Sequence, residues 1–251
     1  MNRARLFAFL LSAYLAGSLT ASGAEIKILS AVPLAPGVEQ IAAQYKIETG
    51  QVVQVQSVTT GDINRILSSS EPFDILITTT ALVDQAAKDT KAVATSKTMV
   101  GRVGIGVIIR TGAVAPNIST PDALKQAVLA ADAVIYNTAG SGQSVQKMFE
   151  DMGISAQIQS KANRPANAAQ TMDRIIQGKG NEIGFGLISE IRPYETKGVR
   201  MVGPLPVPVQ TYINYEAILS AGSKRADDAT GFIRYLVTPA AKKVLVSTGV
   251  D

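Results

Sequence analysis

Apolar runs too short for helices alternate with stretches of helical period along most of the chain. Ile26-Lys27-Ile28-Leu29 reads as a strand, and after Pro36-Gly37 the residues Val38, Ile41, Ala42 and Tyr45 share one helical face that Gly50 ends. Val52-Val53-Gln54-Val55-Gln56 predicts a second strand, Gly61 to Ser70 a helix with Ile63, Ile66 and Leu67 inward, and Asp74 to Thr79 a buried third strand. Strands joined through helices run parallel, and ligands on such sheets collect at the carboxyl ends of the strands. Those ends carry Ser30-Ala31-Val32-Pro33, Val58-Thr59-Thr60-Gly61 and Thr78-Thr79-Thr80, which are mostly small or hydroxylated.

Met99 to Arg110 is extended and apolar but carries three glycines, a composition unsuited to a helix and long enough to pass between two domains. Thr120-Pro121-Asp122 is a helix start, Ala133 to Asn137 a strand, and Gly140-Ser141-Gly142-Gln143-Ser144 leads into a helix that runs to Met152. Asn167 caps a helix over 168–177, Glu182 to Ile188 is a further strand, and Gln210 to Ser220 is a second extended run able to return to the first domain. Helices over 225–237 and 239–247, parted by Thr238-Pro239, close the chain. The expected architecture is an α/β clamshell of two domains joined by two crossing strands. Domain 1 comprises 25–103 plus 217–251, and domain 2 comprises 104–216.

Ahead of this pattern, Arg3 and Arg5 precede an apolar stretch from Leu6 to about Leu19, with small residues at Ser22 and Ala24. A run this short and broken falls below the roughly 20 residues of a membrane span and reads as a signal peptide over 1–24, cleaved near Ala24 with export to the periplasm. Among 251 residues there is no cysteine and no histidine, which excludes disulfides, thiol nucleophiles and imidazole-relayed triads. Twenty-four basic against 20 acidic residues, with no basic run, offer nothing to nucleic acid. For a hydrolase built on carboxylates the candidates are Asp62, Asp74 and Glu190, each of which reads as a helix cap or a solvent-facing residue.

The order of "EIKILSA", "VEQIAAQYKIETG", "TTGDINRIL", "FDILITT", "VGIGVIIRTGA", "STPDALKQAVLAADAVIYN", "SGQSVQKMFEDMGI", "IGFGLISEI" and "VGPLPVPVQ" resembles that of the periplasmic solute-binding proteins of ABC transporters, and most of all their molybdate-binding branch. The resemblance spans Glu25 to Asp251. It implies a type II periplasmic-binding fold, closure around one small anion, delivery to a membrane permease, no cofactor and a monomer. A periplasmic sensor subunit binding the same ligand is the alternative.

The resemblance also implies a site. In the molybdate-binding proteins neutral donors hold the oxyanion, namely serine hydroxyls of the first two loops, backbone N–H groups at helix starts and a tyrosine of the second domain. By position the second loop matches at Thr59, Thr60 and Gly61 and the third at Thr78 and Thr79, while in the first loop Ser30, with Ala31 beside it, is only the nearest substitute. The first-loop serine is replaced at Val32 or Pro33, and Leu187 stands where the tyrosine is expected. Each missing donor removes roughly 1–3 kcal/mol from an oxyanion site. Arg102 is the candidate replacement and Arg164 a second, since a guanidinium fork suits a carboxylate. Ser141, Gly142 and Ser144 complete the set at a helix N-terminus, where free N–H groups favour an anion. The preferred ligand is therefore a small organic carboxylate rather than molybdate.

Overall fold

The computed structural model describes residues 25–69 and 71–251, so the leader predicted over 1–24 lies outside the described residues. Nine strands form one sheet: β1 (Ile26–Ala31), β2 (Val53–Val58), β3 (Ile75–Thr79), β4 (Thr98–Arg110), β5 (Ala133–Ile135), β6 (Ala162–Asn163), β7 (Glu182–Leu187), β8 (Val199–Pro204) and β9 (Tyr212–Leu219). Their order is β2-β1-β3-β9-β4-β7-β5-β6, with β8 also paired to β4. Ten helices connect them: α1 (Ala35–Thr49), α2 (Thr60–Leu67), α3 (Thr80–Lys88), α4 (Pro121–Ala130), α5 (Gly140–Asp151), α6 (Ser155–Ile158), α7 (Ala168–Gln177), α8 (Ile188–Ile191), α9 (Ala226–Leu236) and α10 (Pro239–Ser247). Among the described residues no helix is long and apolar enough to cross a membrane.

The expected βαβαβ unit is present, with β1 parallel to both β2 and β3. Residues of alternate parity along each strand feed opposite faces. Ile75, Ile77, Ala217 and Leu219 join α1, α9 and α10 in the largest apolar cluster, while Leu76 and Ile218 face Ile63, Ile66 and Val83 of α2 and α3. The helix over Thr80–Lys88 and strand β8 have no counterpart in the sequence expectations. The first follows a hydroxyl triplet that reads as loop, and the second, Val199–Pro204, carries an arginine and a glycine within only six residues.

β4 holds the sheet together. Its first half, Thr98 to Gly104, pairs antiparallel with β9, and its second half pairs with β7 on one edge and β8 on the other. Because β8 and β9 follow one another in the chain, they line β4 almost end to end. The expected domain boundary at 216/217 falls inside β9, which pairs with β3 and β4 from Thr79 and Gly104 onward.

Between β8 and β9 the chain leaves the ladder, and one side chain fills the place. Ile105 N–H donates to Gln210 Oε1 at 3.0 Å and Gln210 Nε2 donates to the Ile105 carbonyl at 3.0 Å, the pattern a paired backbone residue would make. Leu205 N–H also reaches the Ile105 carbonyl at 3.0 Å. Gly104 leaves room for this amide, since a Cβ there would lie 3.1 Å from Gln210 Nε2. Replacing Gln210 with alanine strands the Ile105 N–H, so Gln210→Ala is expected to lower unfolding free energy by about 1–3 kcal/mol. Urea denaturation measures this, and an unchanged midpoint would mean that the amide contributes no net stability.

Candidate functional site

Strand register defines a gap. On one side β1 and β2 end level with each other at Ala31 and Val58, and β3 ends at Thr79 opposite Tyr215, which in turn faces Gly101 of β4. On the other side β7 ends at Leu187 opposite Ile105. Four residue steps along β4, from Gly101 to Ile105, thus separate the two sets of carboxyl ends, a span of roughly 13 Å along an extended strand. Helices α2, α3, α5 and α8 all begin at these ends, and their first N–H groups have no partner within the helix.

The expected contact residues distribute along this gap in different states. Thr59, Thr60 and Gly61 are exposed, Thr79 and Ser144 half-buried, and Ser30, Ala31, Thr78, Ser141 and Gly142 buried. Thr59 is engaged by its own helix: its Oγ accepts from Asp62 N–H at 3.2 Å and donates to Asp62 Oδ2 at 2.7 Å, a capping box that also lowers the Asp62 carboxyl below its ordinary range. Thr79 stands at the N-cap of α3 without bonding it, and the next hydroxyl, Thr80 Oγ, is buried without a partner.

At α5 the donors turn onto Asn137. Its Oδ1 accepts from Ala139 N–H at 3.0 Å and Gly142 N–H at 3.2 Å, and its Nδ2 donates to Ser141 Oγ at 3.2 Å. The packing is so close that a Cβ on Gly142 would lie 1.7 Å from the Asn137 carbonyl oxygen. Ser144 Oγ donates back to the Gly140 carbonyl at 3.3 Å and does not cap the helix, whose N-cap is Ala139.

Neither of the two candidate arginines has a carboxylate partner among the described residues. Arg102 is exposed, with its guanidinium carbon 4.1 Å from the Tyr212 ring centroid, and lies in the four-residue stretch that crosses the gap. Its backbone is fixed from the other edge, where its N–H and carbonyl pair with Asp251, each at 2.8 Å. Arg164 lies 5.1 Å above the Tyr136 ring, beyond the end of β5. Stacking leaves the guanidinium N–H groups pointing outward for other acceptors. A surface hollow of about 450 Å³ runs from Ser144 along α5 to Met152 and Thr211.

The family model described as bacterial extracellular solute-binding protein matches residues 26–251. The chain belongs to this family. The solute-binding protein is similar to the aconitate isomerase of Pseudomonas sp, with 24% identity over 230 residues, 89% of this chain and 86% of that protein. In fold it is similar to the periplasmic molybdate-binding protein of Azotobacter vinelandii, with TM-score 0.72, 15% identity and coverage of 90% and 98% of the two chains. It is also similar to the sulfate-binding protein of Mycobacterium tuberculosis, with TM-score 0.70, 21% identity and coverage of 90% and 86%. The expected type II periplasmic-binding fold and the resemblance to the molybdate-binding branch are borne out.

The three carboxylates singled out from sequence part company. Asp62 caps α2 as expected. Asp74 neither caps nor faces solvent: it is buried, accepting from Lys27 N–H at 2.8 Å and Ser223 Oγ at 2.6 Å, and so ties β1 to the turn after β9. Glu190 also departs from expectation. It lies half-buried in α8, whose N-cap is Leu187, and burial pushes its carboxyl up to about 7. Tyr215, buried at the opposite end of the gap, is pushed upward by burial and then by the charge of Glu190. No local pattern announces this influence, because the two residues stand on different elements, α8 and β9.

Folded Glu190 therefore keeps its proton between its ordinary value of 4.5 and about 7, where the unfolded chain has released it. Its stabilising contribution is complete below the lower value and lost as pH rises through the upper. Glu190→Gln removes the titration, so from about pH 5 to about pH 8 the variant should gain on the parent by at most roughly 3 kcal/mol. Urea titrations at several pH values report the difference, and parallel curves would show a carboxyl in free contact with water.

Proposed function

We propose that this solute-binding protein takes up a small organic carboxylate in the gap between two lobes and passes it to an ABC-transporter permease in the periplasm. The lobes are 25–103 with 217–251, and 104–216, hinged where β4 and the chain from β8 to β9 cross. The observation that carries the reading is the pair of guanidinium groups, Arg102 and Arg164, stacked on Tyr212 and Tyr136 and paired with no carboxylate among the described residues. A guanidinium meets a planar carboxylate with two parallel N–H bonds, whereas a tetrahedral oxyanion is well served by neutral donors. The relative named aconitate isomerase supports the same ligand class, since aconitate carries three carboxylates.

Neutral donors complete the grip. Thr60, Gly61 and Thr79 stand at helix starts, where N–H groups and the helix dipole favour negative charge. Ser30, Ala31, Thr78, Ser141, Gly142 and Ser144 stand at or just beyond the same strand ends. Thr59 serves by holding the α2 start in place. A ligand touching both lobes favours the closed form, because the open form cannot make both sets of contacts. Capture and release of this kind break no covalent bond.

Thermal unfolding with molybdate, tungstate, sulfate, phosphate, citrate and aconitate tests the reading. A carboxylate present at about 100 times its dissociation constant should add roughly 2.7 kcal/mol. Stabilisation by molybdate or tungstate alone would refute the carboxylate preference. By calorimetry Arg102→Ala should abolish carboxylate binding in a folded protein, and Thr60→Val should weaken it about tenfold; unchanged affinities would remove these side chains from the site.

A further inference from the structure

Arg102 takes its backbone partner from outside the nine strands. Across the gap β9 lines one edge of β4, from Tyr215 opposite Gly101 to Tyr212 opposite Gly104. On the other edge β7 stops at Leu187 opposite Ile105, so no strand reaches Arg102 there. In an antiparallel ladder the N–H and carbonyl of one residue point to the same edge, and those of Arg102 both meet Asp251, each at 2.8 Å. Asp251 therefore continues, by one residue, the edge that β7 leaves.

The chain arrives there through an ordered turn. Gly249, in left-handed backbone at φ 88, follows α10; its N–H donates to the Val246 carbonyl and the Val250 N–H to the Leu245 carbonyl, each at 3.0 Å. Val250 is fully buried and packs on β4, since a Cβ on Gly101 would lie 2.7 Å from Val250 Cγ1 and 2.8 Å from the Asp251 carbonyl oxygen. The same turn meets α8, since a Cβ on Gly249 would lie 3.0 Å from Ile188 Cγ2 and 3.1 Å from Ser189 N. With no side chain at either contact, Gly249 to Asp251 fit closely against both β4 and α8. The residue they hold is the one whose guanidinium carbon lies 4.1 Å from the Tyr212 ring centroid.

We propose that Val250 is a positioning residue of the anion site, acting through Arg102. Its apolar side chain keeps the turn seated on Gly101, the seated turn keeps Asp251 on the Arg102 backbone, and Arg102 is thereby fixed at its base as Tyr212 fixes it at its tip. A guanidinium held at both ends meets a carboxylate as a pre-set fork and loses less freedom on binding. Two parallel N–H bonds also demand alignment, which a shift of the strand beneath them spoils. The inference rests on the reading of Arg102 as a carboxylate-binding group and adds to it the element that aims the group. Val250 is the place to test it, because Asp251 carries a charge of its own across the ladder from Arg102.

Calorimetry with citrate, urea denaturation and NMR amide exchange at Arg102 are compared in the parent protein, Val250→Ser and Val250→Ile. In Val250→Ser the Arg102 amide should exchange at least about tenfold faster and citrate affinity should fall about tenfold. Val250→Ile keeps a branched apolar side chain and should leave both within about twofold of the parent. In an Arg102→Lys background a flexible ammonium has no fork to align, so Val250→Ser should there change citrate affinity by no more than about twofold. Faster exchange at Arg102 with parental citrate affinity overturns the proposal, makes the turn purely structural and leaves the carboxylate reading standing. An Arg102 amide as protected in Val250→Ser as in the parent overturns it as well, and so does an equal loss of affinity in the lysine background. Should Val250→Ser not fold, Val250→Ala, which removes only two methyl groups, is read by the same outcomes. A parent that binds neither citrate nor aconitate overturns the carboxylate reading and this inference with it.

Discussion

One ladder of backbone hydrogen bonds crosses the gap, and the rest of the molecule is arranged around it. β4 belongs to both halves of the sheet, with β9 along its first part and β7 and β8 along its second. Extended chain held by backbone hydrogen bonds resists stretching, so the levels of Thr79 and Leu187 are fixed relative to each other along β4. The point of least backbone pairing is Ile105, where the neighbouring chain leaves the ladder between Leu205 and Thr211. There a side-chain amide takes the place of backbone and keeps the strand satisfied.

The same economy governs the helix starts. Every helix leaves its first N–H groups unpaired, and a fold that gathers several starts at one gap must either satisfy those donors internally or leave them for a ligand. Both happen here. At α2 a capping box occupies Thr59 and Asp62, and at α5 the buried Asn137 accepts from Ala139 and Gly142. At α3 and α8 no side chain caps the start, and Thr80 and Ser189 have buried hydroxyls without partners. These two starts follow β3 and β7, the strands that flank β9 and β4 at the crossing. Side-chain acceptors thus engage the starts of α2 and α5 and are lacking at those of α1, α3 and α8.

Period and punctuation made the scaffold legible. Pro121 after Thr120, Asn167 before α7 and Pro239 after Thr238 mark helix starts that the structure places at those residues. Strands β1, β2 and β3 lie within one or two residues of their apolar runs. α3 was hidden because Thr78-Thr79-Thr80 serves as both strand end and helix start, and β8 because a six-residue pairing partner of β4 needs no hydrophobic signature of its own. Individual site residues were legible by loop and not by state. The sequence places Ser141 and Gly142 at a helix start, but only the fold shows that Asn137 already engages them.

The acidic residues show why this limit is physical. Asp62, Asp74 and Glu190 have the same ionisable group, and what separates them is the number of donors that each meets. Asp62 receives two bonds from Thr59 and titrates below its ordinary range; Asp74 receives a backbone N–H and a hydroxyl from segments far apart in sequence. Glu190, half-buried in α8, receives none, and burial raises its carboxyl above the ordinary range. Donors from the same turn are predictable from spacing, as the Thr59–Asp62 box is. Desolvation without donors depends on chain crossings more than a hundred residues apart in effect, since Tyr215 reaches this region from β9 while Thr79 reaches it from β3. A group left in that state is stable only because the surrounding core, Leu187, Ile191 and Tyr215 among it, holds α8 in place. The packing around α8 is thus the condition for keeping a half-buried carboxyl without donors in that helix.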